Sequence, residues 1–171
     1  ICYSRSESMR ASTKRHPSDI WLTVGCDETG RISGFVFDGI FNTGAYASWG
    51  PTVANRVPIH ASGPYVTKDY RANSVAVHTN APPAGAFRGF GVPQSAVAQE
   101  CDFDLLAEKL GMDRLAFRRL NALKNGVPTV TGQVFNSGVG IDDCFAALEN
   151  SWHAAAKNSG RRRSARHTVS S

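Results

Sequence analysis

The sequence predicts an α+β fold, with a hairpin and a further strand in the first half and helices in the second. Three observations carry this prediction. Apolar residues recur at near-strand spacing up to about residue 78, the spacing changes to steps of three and four after Pro93, and Gly, Pro and Asn clusters mark the joints.

Residues 20–27 are an apolar-rich run that predicts a strand, and Glu28-Thr29-Gly30 supplies turn chemistry. Residues 32–41 alternate Ile32, Gly34 and Val36 against Phe35 and Phe37, so the two runs predict a hairpin. Gly50-Pro51 opens a short helical segment ending near His60, with Pro51 suited to the first turn and Pro58 limiting its length. Residues 70–78 place Val75 and Val77 on one face of a strand, which leads into the loop Asn80-Ala81-Pro82-Pro83-Ala84-Gly85.

A helix is predicted over residues 94–110, with Val97, Cys101, Leu105, Leu106 and Leu110 as its apolar side and Gly111 as its stop. Asp113 caps a second helix that carries Leu115, Arg118, Arg119 and Leu120 and stops at Lys124-Asn125-Gly126. A third follows a glycine-rich loop, its face formed by Ile141, Phe145, Leu148, Trp152 and Ala155. Residues 1–158 are expected to form one domain, incomplete because the chain opens at Ile1 without an initiator Met, and residues 159–171 a basic, disordered tail.

Charge narrows the function classes. The formal net charge is +5, but residues 161–171 hold four arginines and no acid, so the remainder balances 15 basic against 14 acidic side chains. The body therefore has no field that would recruit nucleic acid. No run approaches the roughly 18 apolar residues of a membrane span, and no secretory start is present. Cys2, Cys26, Cys101 and Cys144 lie far apart without a C-x-x-C pair, which argues against a zinc or iron–sulfur site and predicts buried free thiols in a reducing cytoplasm. His16, His60, His78, His153 and His167 show no metal-ligand spacing.

The chemistry lies in Gly85-Ala86-Phe87-Arg88-Gly89-Phe90-Gly91-Val92-Pro93-Gln94, where glycines alternate with two aromatics and an arginine before a helix. Glycines let backbone N–H groups approach a ligand, and the helix start adds partial positive charge, so an anionic planar ligand would be held well. The stretch has neither the Lys-Ser/Thr of a phosphate-binding P-loop nor the G-x-G-x-x-G spacing of a dinucleotide fold. The plain structural alternative is a tight loop in which Phe87 and Phe90 fill the core and Arg88 caps a carbonyl.

This stretch resembles the A-F-R-G-F-G-x-P-Q signature of the xanthine dehydrogenase and aldehyde oxidase family of molybdenum hydroxylases. Arg5-Ser6-Glu7-Ser8-Met9, Lys14-Arg15-His16-Pro17 and Asn42-Thr43-Gly44-Ala45-Tyr46 extend the likeness upstream, and residues 103–121 extend it downstream, so that it covers residues 3–158. It implies part of a molybdopterin-binding domain, with cofactor contacts from Ala86, Phe87, Arg88 and Gly89 and with Phe90 stacking on substrate. Arg56 matches an arginine that hydrogen-bonds substrate and steadies developing negative charge in xanthine-oxidising members, a role suited to a preorganised cation.

The resemblance further implies a molybdenum-pterin cofactor, as the cytosine dinucleotide form, with no metal ligand among protein side chains. It implies hydroxylation of a heteroaromatic ring, xanthine-like or similar, or of an aldehyde, using oxygen from water. Partner subunits or domains would carry [2Fe-2S] clusters and FAD. The family's glutamate base and its upstream glutamine loop match nothing here, and the likeness breaks near Gly160. The chain alone is therefore expected to have no turnover, a non-catalytic truncated remnant being the alternative.

Overall fold

The computed structural model describes the backbone over residues 1–167 and the surroundings of side chains over residues 1–157. The element order is α1 (Arg5–Ala11), β1 (Ser18–Cys26), β2 (Ile32–Gly44), α2 (Gly50–His60), β3 (Asp69–His78), α3 (Val92–Lys109), α4 (Arg114–Asn121) and α5 (Ile141–His167). The α+β expectation is met, and helix α1 is an addition to it. Ser4 and Glu7 start α1 with reciprocal side-chain to backbone bonds of 3.3 and 2.8 Å. Its lack of any buried residue explains why no apolar stripe announced it.

The sheet has the order β1-β2-β3, with β1 antiparallel and β3 parallel to the central β2. Asp27 shapes the hairpin turn by accepting from the amides of Thr29 at 2.9 Å and Arg31 at 3.0 Å. Parallel pairing needs a crossover, which α2 provides. Along β2, Phe35, Phe37 and Phe41 point into the core, where they meet Ala54 and Val57 of α2 and Phe103 of α3. Gly39 interrupts this series because a Cβ there would stand 2.7 Å from the Phe41 ring and 3.1 Å from that of Phe37.

Helix α3 keeps part of the expected face, since Leu106 and Leu110 pack against the core, but turns Val97, Cys101 and Leu105 outward. Its buried residues are Ser95, Gln99, Phe103 and Ala107, while Val97 is 67% and Leu105 56% exposed. The core-facing stripe mixes small and polar residues with one aromatic, because α3 packs closely on its neighbours, and Ser95 satisfies its hydroxyl on the Val92 carbonyl at 3.0 Å. The buried-thiol expectation fails with it. Cys101 lies on the outward side of α3, Cys144 on that of α5 and Cys2 at the exposed chain start, leaving Cys26 half-buried with its thiol pKa pushed up chiefly by burial.

Two polar clusters fasten the helices. Arg118 of α4 reaches Glu100 at 2.6 Å and Asp104 at 2.8 Å on α3, and Arg119 joins Asp142 at 2.8 Å and Glu149 at 3.3 Å on α5. Helix α4 begins as expected with Asp113 as its cap but ends at Asn121, three residues before Lys124. Its last residue turns inward and bonds the hairpin turn. Helix α5 buries Phe145, leaves Leu148 exposed, and continues to His167 where a disordered tail was expected from residue 159. Arg161, Arg162, Arg163, Ala165 and Arg166 in that stretch are good helix formers. The part of the tail at residues 168–171 lies outside the described residues.

Candidate functional site

The signature stretch forms a loop over residues 85–91 at the head of α3, exposed at residues 86–89 and anchored by buried Gly85 and Gly91. Gly89 has φ +92° and Gly91 φ +97°, with Phe90 between them at φ +46°, so the chain coils back on itself through a run of positive φ. Two short bonds close the coil, from Phe90 N to the Phe87 carbonyl at 2.8 Å and from Val92 N to the Gly89 carbonyl at 2.9 Å. Gly91 sits against α2, where a Cβ would meet Val57 Cγ2 at 2.7 Å and the Val53 carbonyl oxygen at 3.1 Å. Glycine is needed there for conformation and for space.

Ala86, Phe87, Arg88 and Gly89 are exposed, and among the described residues their amides donate to no protein acceptor. Unpaired N–H groups on exposed residues, the Arg88 charge and the start of an 18-residue helix lie together here, a combination suited to an anionic group. It fits the pterin cofactor that the sequence implied. The carboxylates with ionic partners spend them elsewhere, Glu100 and Asp104 on Arg118, Asp142 and Glu149 on Arg119, so none hydrogen-bonds the loop.

A strap at residues 13–16 backs the loop. Gly85 N donates to the Lys14 carbonyl at 3.1 Å and Lys14 N to that of Pro83 at 3.3 Å, pairing the strap with the loop's entry. Arg15 then reaches across. Its guanidinium carbon lies 4.9 Å from the Phe87 ring centroid, Nη1 donates to Gln94 Oε1 at 3.2 Å, and Nη2 donates to the Arg88 carbonyl. Phe87, 44% exposed, thus fills no core position as the plain structural alternative required.

Phe90 meets Trp49 edge to face, with centroids 6.2 Å apart and planes at 70°. Trp49 is the N-cap of α2, and Arg56 follows seven residues later, two turns along the same stripe. Arg56 is exposed and its Nε donates to His60 Nε2 at 2.9 Å. That bond requires His60 Nε2 to be unprotonated, and burial, then the Arg56 charge, holds the His60 pKa below its usual value. The structure therefore joins Phe90 to the loop and the α2 stripe but shows no direct contact between Arg56 and residues 86–89. Sequence spacing assigns no role to Trp49, Arg15 or Gln94; the last two lie within quoted motifs, yet their pairing spans 79 positions.

Fold and loop together define a domain whose exposed loop combines free backbone donors, aromatic edges and a cation. The match to the molybdopterin cofactor-binding domain family over residues 1–122 fits this description, and the chain belongs to that family. It is 44% identical over 138 residues to the nicotinate dehydrogenase large molybdopterin subunit of Eubacterium barkeri, an alignment covering 81% of this chain and 32% of the relative. It is 40% identical over 124 residues to a probable xanthine dehydrogenase subunit of Bacillus subtilis, covering 72% of this chain and 17% of that protein. The aldehyde oxidoreductase structure from Desulfovibrio gigas superimposes with a TM-score of 0.87 at 30% identity, covering 93% of this chain and 17% of that one. The chain thus spans a third or less of these relatives. Among the described residues no helix is long and apolar enough to cross a membrane, and no group of His, Cys, Asp or Glu could hold a metal ion.

Proposed function

We propose that this chain forms one wall of the cofactor and substrate site of a cytoplasmic molybdenum hydroxylase acting on a heteroaromatic compound or an aldehyde. The row of amides at residues 86–89, exposed and without a protein acceptor, beside an aromatic corner and at the head of α3, carries the proposal. The molybdenum-pterin group, in its cytosine dinucleotide form, supplies the two-electron chemistry when bound. Ala86, Phe87, Arg88 and Gly89 hold it through backbone donors and the Arg88 charge. Phe90, steadied by Trp49, offers a ring edge or face on which a flat substrate stacks.

Arg56 orients that substrate and stabilises the negative charge that grows on it. His60 occupies Nε, which leaves the terminal nitrogens of the guanidinium for the substrate. The cation favours a purine or a carboxylate-bearing ring, consistent with similarity to proteins named nicotinate and xanthine dehydrogenases. A carboxylate base from outside residues 1–157 completes the site, since no glutamate of that span matches the family's base, and FAD and [2Fe-2S] partner units accept the electrons. The chain alone has no turnover.

Steady-state kinetics on the natural polypeptide, assembled with its partners, test the assignment. Arg56→Met should lower kcat/KM for nicotinate or xanthine by about 100-fold, the loss of one charge-assisted contact in the transition state, and change benzaldehyde oxidation far less. Equal losses on all three substrates, or none, would contradict the role of Arg56.

A further inference from the structure

We propose that Arg15 is a positioning residue that sets the signature loop for cofactor capture, a role that rests on residues 86–89 being the cofactor wall. Its three contacts converge from three directions: the Phe87 ring at 4.9 Å, the Gln94 side-chain oxygen at 3.2 Å, and the Arg88 carbonyl. Gln94 is anchored in turn, its Nε2 donating to the His16 carbonyl at 3.4 Å. Arg15 therefore spans the strap, the loop and the first turn of α3.

The bond to the Arg88 carbonyl has a consequence for the next amide. The Arg88 C=O and the Gly89 N–H belong to one planar trans peptide and point in opposite directions. Drawing the carbonyl onto Arg15 turns the Gly89 N–H away from that guanidinium, and this amide of an exposed residue, taken by no protein acceptor, is left to a ligand. Gly89 tolerates this at φ +92°, with the Cβ position only 2.7 Å from Pro93 ring carbons and 3.8 Å from Arg15 Nη2. The same guanidinium lies against Phe87, which fixes that ring beside the row of amides.

Lysine cannot reproduce the arrangement. An ammonium is a point charge on a flexible stem, whereas the planar guanidinium offers a face to Phe87 and two divergent donors at once. Arg15 touches neither cofactor nor substrate in this reading. It acts through Arg88, Gly89 and Phe87, so its loss appears first as a loosened cofactor.

The natural polypeptide carrying this chain would be made with its partners in a host that synthesises the molybdenum cofactor, as wild type, Arg15→Lys, Arg15→Met, Gly89→Val and Arg10→Lys. Molybdenum and released pterin per polypeptide, the rate of pterin loss on dilution, and the melting midpoint would be read for each. Arg15→Lys and Arg15→Met should lose pterin about tenfold faster, the usual scale for a residue supporting a bound group's contacts, while melting close to wild type and to Arg10→Lys. Wild-type retention in both Arg15 variants with loss in Gly89→Val would overturn the role of Arg15 and leave the cofactor wall standing. Wild-type retention in Gly89→Val as well would overturn the wall itself.

Discussion

Asn121 closes the end of α4 onto the hairpin, its Oδ1 accepting the Ile32 amide at 2.9 Å across 89 positions of sequence. Its Nδ2 donates at 2.9 Å to the carbonyls of Gly30 and Phe117, so one buried amide satisfies three backbone groups. Asn121→Leu leaves the Ile32 amide and the Gly30 carbonyl buried without this partner. It should cost about 3 kcal/mol, read as a lowered urea midpoint with unchanged slope.

Arg118 fastens α3 to α4 from a largely buried position, donating to Glu100 Oε2 at 2.6 Å, the Glu100 carbonyl at 3.0 Å and Asp104 at 2.8 Å. Tyr65 adds a 3.0 Å bond to the same Glu100, and burial first, then the Glu100 charge, pushes the tyrosine pKa far up. Arg118→Ala should destabilise by about 2 kcal/mol, because half-exposed Glu100 and Asp104 recover some hydration. The loss should shrink in an Arg118→Ala, Glu100→Gln double variant. Additive losses would show that the pair is not coupled.

Gly91 joins the loop to α2 with no room for a side chain. Gly91→Ala places a methyl 2.7 Å from Val57 Cγ2 on a backbone at φ +97°. Strain of roughly 1–3 kcal/mol follows, and relief by lifting the loop would part Phe90 from Trp49. Tryptophan fluorescence should change and cofactor content should fall together; a change in neither would mean that the contact is slack.

His16 is buried beside Gly50 with neither ring nitrogen completing a hydrogen bond. Burial, opposed in part by the Gly50 carbonyl and aided by the Arg15 charge, holds its pKa below the ordinary 6.5. Below pH 6.5 the unfolded chain binds a proton that the folded chain refuses, so stability is full at neutral pH and falls as pH drops through the window beneath 6.5. His16→Gln should flatten that decline. An NMR titration of the His16 ring with a midpoint at or above 6.5 would contradict the assignment.

The hairpin, α2, β3 and the cap of α4 were legible because each is written in local spacing or in one turn residue, as Asp113 shows by accepting from the Leu115 and Ala116 amides. In helix α3 the inward packing of Leu106 and Leu110 was legible, but both sides carry apolar residues, and spacing does not say whether Phe103 or Leu105 faces inward. The glycine pattern of residues 85–91 exposed the loop itself. Its support by Arg15 stayed hidden, since a guanidinium in one strap and a carbonyl 73 positions away share no local signal.

The most direct test is the amount of molybdenum and pterin bound per polypeptide, in wild type and in Arg88→Ala, with the fold of each verified by circular dichroism. A cofactor wall at residues 86–89 predicts one molybdenum and one pterin for each wild-type polypeptide and a marked loss of both in Arg88→Ala. A folded wild-type polypeptide that binds neither, or equal loading of the two, would contradict it.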